Sequence, residues 1–148
     1  YLCESSPDSS LIPEQTPLRY QALAMAQDIA IEIHPLNNLR VLQYLERELS
    51  CEQEAKIDWL HYWMSQGFCA LEEKLSKHRQ THGDSVYSIT DSPCIVDISL
   101  VPQVYNALRF GVDMSPYPLI NSIVEACNQL PAFIGAMPEN QADANAPM

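Results

Sequence analysis

The chain of 148 residues is 47% hydrophobic and 18% charged, which suits one globular domain with a real core and excludes a disordered polyelectrolyte. Eight lysines and arginines stand against nineteen carboxylates, for a formal net charge of −11, so the clustered basic surface that grips nucleic acid or an anionic membrane is missing. No apolar run approaches the ~20 residues needed to span a bilayer and no signal-peptide pattern opens the chain, so a cytoplasmic protein is expected. Small anions stay open as ligands, because one or two placed arginines suffice for them.

Tyr1-Leu2-Cys3-Glu4 carries no initiator methionine and no capping residue, and reads as cut from inside a helix, so a fragment is expected. Ser5-Ser6-Pro7-Asp8-Ser9-Ser10 then reads as a linker, which makes residues 1–16 the end of a preceding helix plus an interdomain connection. Thr16-Pro17 predicts a helix start with Thr16 as the cap. Leu18, Ala22, Met25, Ile29, Ile33 and Leu36 follow at spacings of three and four, the buried face of one long helix carried through Pro35 to about Leu49. An interior proline costs about 3 kcal/mol. This one is kept, with His34 before it and Asn37, Asn38 and Arg40 after it, so the bend is a candidate site. Taken singly, His34 reads as a partly buried structural histidine, and Asn38 and Arg40 as solvated helix-surface groups.

Ser50-Cys51-Glu52-Gln53 predicts a capping box. Ile57, Leu60, Met64, Phe68, Leu71 and Leu75 then outline a second long helix, widened on its apolar side by Trp59, Tyr62 and Trp63. Gly67 inside it predicts close approach of a neighbouring helix. Glu72, Glu73, Lys74, Lys77 and Arg79 read as a solvated face. From Lys77 to Ser92 the pattern lapses into a loop. His78 and His82 could share a helix face, but two ligands do not make a zinc site, and no metal is expected. Five scattered cysteines with no close pair read as reduced thiols.

A third helix runs through Ile98, Val101, Val104, Tyr105 and Leu108. Asp97 lies in its first turn, Pro102 interrupts it, Gly111 fits its C-terminal cap, and Arg109 opposes the dipole in its last turn. Pro116-Tyr117-Pro118 opens a fourth helix and Pro131 a short fifth. The tail from residue 139 is polar and expected to be flexible. No strand pattern of useful length appears. The fold class is all-α, about five helices in one bundle.

His34-Pro35-Leu36-Asn37-Asn38-Leu39-Arg40-Val41-Leu42, Gly67-Phe68-Cys69-Ala70-Leu71-Glu72 and the run from Asp97 to Phe110 resemble the zeta class of glutathione transferases, and Asp113 to Pro118 with Leu130-Pro131-Ala132-Phe133 fit it too. The resemblance spans nearly the whole chain. It implies an all-α C-terminal domain at residues 17–138, in a parent protein whose thioredoxin-like N-terminal domain is absent here. It also implies glutathione as co-substrate, a homodimer, and cis–trans isomerisation of maleylacetoacetate to fumarylacetoacetate in aromatic amino acid breakdown, or of maleylpyruvate, or a general transferase activity.

The thiol-activating residues of the class lie upstream, so no catalytic residue is expected in this chain, which alone would be inactive. Arg109 matches the class arginine at the substrate carboxylate, while His34, Asn38, Leu39 and Arg40 fall where the helical domain touches glutathione. Two departures stand out. Cys94 sits where the superfamily has a Ser or Thr cap, and Pro93 where an apolar residue is usual, which predicts a weaker start to the third helix. The competing expectation is a non-catalytic helical interaction module, which would have no reason to keep both the polar bend and Arg109.

Overall fold

The computed structural model describes Ser5 and residues 11–144. The expected end of an upstream helix and most of the linker lie outside the described residues, as do residues 145–148. All regular elements described are helical, and none of these helices is long and apolar enough to cross a membrane.

Helix α1 spans Thr16–Gln27. Thr16 is its first helical residue rather than its cap: Gln15 takes the cap position, and Pro17 sits where the missing N–H has no intrahelical acceptor to lose. The expected uninterrupted helix then breaks. A π-helical segment, Asp28–Ile33, passes into a 3-10 turn, His34–Asn37. Asn38 leaves the helical region altogether (φ −67°, ψ 144°), and α2, Leu39–Arg47, begins afresh. The ladder widens before Pro35 and tightens after it, which accommodates the residue that cannot donate.

Helix α3, Gln53–His82, is the long central element. It starts later than the expected capping box, because Ser50 adopts a left-handed conformation (φ 52°) and closes the turn leaving α2 instead of capping α3. It also ends later, running to Gly83 (φ 90°) through residues expected to be loop. His78 is the reason: it is buried, with Nε2 2.9 Å from the Ile89 carbonyl oxygen and Nδ1 2.9 Å from the Gln21 side-chain amide. With both ring nitrogens engaged, His78 ties α3 to α1 and to the following loop.

Helix α4, Ile95–Arg109, stays continuous across Pro102. Its C-terminus is a Schellman arrangement: Gly111 (φ 73°) donates to the Leu108 carbonyl at 3.0 Å, and Val112 to that of Ala107 at 3.0 Å. Helix α5, Pro118–Cys127, has no cap of its own. Glu72 of α3 supplies one, accepting the N–H groups of Leu119 (2.8 Å) and Ile120 (3.0 Å) on its two carboxylate oxygens. Glu72 is therefore half-buried rather than part of the solvated face, whereas Glu73 and Lys77 do pair there at 2.9 Å.

Helix α6, Pro131–Ala136, is short. The tail expected to be flexible opens with a 3-10 turn, Pro138–Asn140, whose Glu139 accepts from the Tyr105 hydroxyl. Counting α1, the bend and α2 as one broken helix, five helices form the bundle.

The core sits among α1, α3, α4 and α5. Ile29 and Ile33 meet Met64, Phe68, Leu71 and Leu75, with Leu100, Val104, Ile120 and Ile123 closing the far side. Each such side chain contributes roughly 1.5–3 kcal/mol by leaving water. Gly67 sets the spacing at the bend: a Cβ there would lie 2.3 Å from Ile33 Cγ1, so only glycine lets the π-helical segment settle on α3.

Candidate functional site

The bend and the close of α4 are joined directly. Asn37 is buried, donates from Nδ2 to the Ile33 carbonyl at 3.2 Å, and accepts at Oδ1 from Asn106 Nδ2 of α4 at 3.3 Å. Helix α3 secures both parties. Trp59 Nε1 donates to the Leu36 carbonyl at 2.8 Å, and His61 Nε2 lies 2.7 Å from the Phe110 carbonyl oxygen and donates to it. Two ring N–H donors therefore fasten Leu36 and Phe110 onto α3, and the asparagine pair joins the bend to α4.

Around this junction the expected site residues are placed as follows. His34 is exposed on the 3-10 turn, not partly buried. Asn38 is half-buried and its side-chain oxygen caps α2 by accepting from the Arg40 N–H at 3.1 Å, so its amide NH2 is the end left for a ligand. Leu39 (67% exposed) and Arg40 are open at the first turn of α2, where Asn38 accepts the N–H groups of Arg40, Val41 and Leu42. Arg109 is exposed at the last residue of α4, its guanidinium 6.0 Å from the Phe110 ring centre.

Charge pairing separates the cations into two sets. All three lysines are spent on carboxylates: Lys56 on Glu46 (2.8 Å), Lys74 on Asp28 (2.5 Å) and Lys77 on Glu73 (2.9 Å). Among the described residues none of the five arginines forms an ion pair. In a chain carrying −11 overall, unpaired guanidiniums at the bend (Arg40) and at the end of α4 (Arg109) are available to an outside anion. An imidazole, an amide NH2 and two guanidiniums make a donor set that fits carboxylates and peptide carbonyls.

An apolar groove of about 610 Å³ runs along the same helix. Ile98, Val101, Tyr105 and Leu108 of α4 form one wall, with Phe133 and Met137 opposite. At 3.6 residues per turn Arg109 falls on this groove face one turn beyond Tyr105, while Asn106 falls on the flank toward the bend. Arg109 itself lies beyond the residues that line the groove. Ile98 (44%), Tyr105 (40%) and Leu108 (60%) are large apolar side chains left open along it.

The two buried thiols are chemically quiet. Burial pushes both Cys94 and Cys127 up to about 12, so neither supplies a thiolate near neutral pH.

Reading residues singly missed Asn37 and Asn106, because a lone amide looks like a surface group until its partner is known. Trp59 was expected to be packing, and its indole N–H also holds the bend. The signal for the asparagines was their place inside the two segments that carry the resemblance.

No protein-family model matches the chain. It is 50% identical over 144 residues to a probable maleylacetoacetate isomerase of Vibrio cholerae, covering 97% of this chain and 65% of that protein. The crystal structure of a maleylpyruvate isomerase from Pseudomonas aeruginosa PAO1 superposes with a TM-score of 0.91 at 39% identity, covering 97% of this chain and 73% of that one. A maleylacetoacetate isomerase from Anaeromyxobacter dehalogenans, solved with dicarboxyethyl glutathione and citrate in its active site, gives 0.88 at 33% identity over 99% of this chain and 63% of that one. The chain thus spans about two thirds of the length of these proteins.

Proposed function

The chain belongs to the zeta class of glutathione transferases, the family of the maleylacetoacetate and maleylpyruvate isomerases, and on that footing we propose that it is the helical part of a glutathione-dependent cis–trans isomerase. The substrate we assign is maleylacetoacetate, converted to fumarylacetoacetate. When bound, glutathione supplies the thiol whose reversible addition to the cis double bond allows rotation about it.

The residues of this chain bind and orient. Arg109 takes a substrate carboxylate just beyond the apolar groove, which receives the carbon chain. His34, the Asn38 amide NH2, the Leu39 backbone and Arg40 take glutathione's polar groups along the bend. No residue here is given the task of activating the thiol, since Cys94 and Cys127 are buried and the bend holds no base paired to a thiol.

The observation that carries this reading is an unpaired guanidinium one helical turn beyond the groove-lining Tyr105, on the helix that Asn106 and Asn37 join to a polar bend. A homodimer in the cytoplasm is part of the same proposal. Tyr20 (66% exposed), Ile31 (59%) and Tyr62 (58%) supply open apolar surface on α1, the bend and α3 for it.

A second reading, maleylpyruvate isomerase, is favoured by the 0.91 superposition on such an enzyme. Both substrates are acids with a cis double bond, and Arg109 serves either.

The test is an isomerase assay of the protein encoded by the complete reading frame that contains this chain. Turnover of maleylacetoacetate that requires glutathione and exceeds turnover of maleylpyruvate supports the assignment. Turnover of maleylpyruvate alone selects the second reading. No isomerisation of either removes the isomerase reading and leaves a general glutathione transferase or a helical interaction module.

A further inference from the structure

Asn37 is the most constrained polar group near the bend. Its side chain is 6% exposed, and its amide has one orientation that satisfies both neighbours. The Ile33 carbonyl can only accept, so Nδ2 must face it, which leaves Oδ1 for the Asn106 NH2. The first bond closes the backbone where the π-helical segment passes into the 3-10 turn. The second reaches 69 residues along the chain to α4. Neither asparagine is needed to fill the core, since hydrophobic residues of similar size would pack there without a polar group to satisfy.

What the pair achieves is registration. Asn37 stands between His34 and Asn38, and Asn106 stands one turn before Arg109. We propose that Asn106 is a positioning residue, which through the Asn37 amide holds the glutathione-facing bend in register with the substrate-facing end of α4. The proposal rests on the site assignment made above for His34, Asn38, Arg40 and Arg109. It adds that the two halves of that site are one mechanical unit, so that a change on the α4 side is felt on the bend.

The irregular backbone gives such a direct tie a role beside the indirect one that Trp59 and His61 of α3 provide. Segments of π- and 3-10 helix have poorer hydrogen-bond geometry than α-helix and shift more readily. Gly67 beneath Ile33 and Trp59 on the Leu36 carbonyl fix the height of the bend on α3, but neither reaches α4. Among the side-chain bonds of the bend, Asn37 to Asn106 is the one that does.

The test uses the complete protein containing this chain, with glutathione binding by calorimetry, KM and kcat for the acidic substrate, and the urea midpoint measured together. Asn106→Leu keeps the volume and removes the donor. It is expected to weaken glutathione binding about tenfold, with a comparable rise in KM and kcat changed far less. Asn106→Gln, which restores a donor, should recover most of the loss. The double variant with Asn37→Ala should be no worse in glutathione affinity than Asn37→Ala alone.

A lower urea midpoint with unchanged glutathione affinity in Asn106→Leu overturns the proposal, as does full additivity in the double variant. The underlying assignment is checked separately by His34→Ala and Arg109→Ala. If both leave affinity and KM at wild-type values, that assignment falls and takes this proposal with it. If both show losses and Asn106→Leu shows none, the positioning role alone is removed.

Discussion

The two ends of α4 carry one charged side chain each and treat it in opposite ways. Asp97, at the start, is completely buried, and its oxygens accept from the Ser88 N–H (3.0 Å), the Ser88 hydroxyl (2.7 Å) and the Cys94 N–H (2.7 Å). Arg109, at the end, is exposed and has no carboxylate partner. A buried carboxylate with three donors is committed to holding the 83–94 loop against the helix. An open guanidinium one helical turn beyond the groove-lining Tyr105 contributes little to the fold and is free for an anion. The same helix thus separates a charge spent on the fold from one left open, and satisfaction of hydrogen bonds, not proximity to the core, tells them apart.

The largest expected effect breaks the structural end. Asp97→Ala leaves three buried donors without acceptors, and unfolding in urea should show a loss of about 3–5 kcal/mol. A loss under about 1 kcal/mol would mean that the loop is held by something other than Asp97. Next comes the seat of the bend. Gly67→Ala places a methyl group on Ile33 and should cost about 1–3 kcal/mol from overpacking, less up to ~1 kcal/mol regained in helix propensity. Pairing it with Ile33→Val should recover part of the loss if the clash is local.

A pH series sharpens the contrast between buried and exposed ionisable groups. Burial lowers the His78 pKa below its usual 6.5, so the folded state favours the neutral ring. Turning the Gln21 amide so that its NH2 meets Nδ1 lets a neutral ring satisfy both bonds, with Nε2 donating to Ile89. The contribution of His78 is present above about 6.5 and is lost as pH falls through the depressed folded value. The melting temperature should therefore fall between pH 7 and pH 5.5, and His78→Gln should flatten that slope. An equally steep slope in the variant would assign the loss to another group.

The smallest effect belongs to the α4 cap. The Cys94 sulfur lies beside the Val96 and Asp97 N–H groups, a weak acceptor in a good position. Cys94→Ser should raise stability by about 0.5–1 kcal/mol in urea. A fall would show that packing of the buried sulfur outweighs the better cap.

How much of this was legible depended on whether a feature answers to its own neighbours or to distant ones. The buried stripe from Leu18 to Leu36, Gly111 as the close of α4, and Gly67 as a point of close approach follow from local spacing and backbone preference. Their positions were readable. Glu72 looked like one more surface carboxylate, because the N–H groups it caps lie 47 and 48 residues away. Ser50 fitted a capping box and adopts a left-handed turn instead, and α3 outran its apolar pattern because His78 found partners in α1 and in the loop. At the candidate site, His34, Asn38, Arg40 and Arg109 were singled out from the segments that carry the resemblance, but nothing local linked Asn37 to Asn106. That pairing is a property of the packed bundle.

The most direct measurement is Arg109→Ala in the complete protein, with the urea midpoint and the KM for the acidic substrate determined on the same preparation. An exposed, unpaired guanidinium that serves a ligand should leave stability within about 0.5 kcal/mol of wild type while KM rises about tenfold or more. An unchanged KM, or a stability loss on the scale expected for Asp97→Ala, would contradict the division of labour between the two ends of α4.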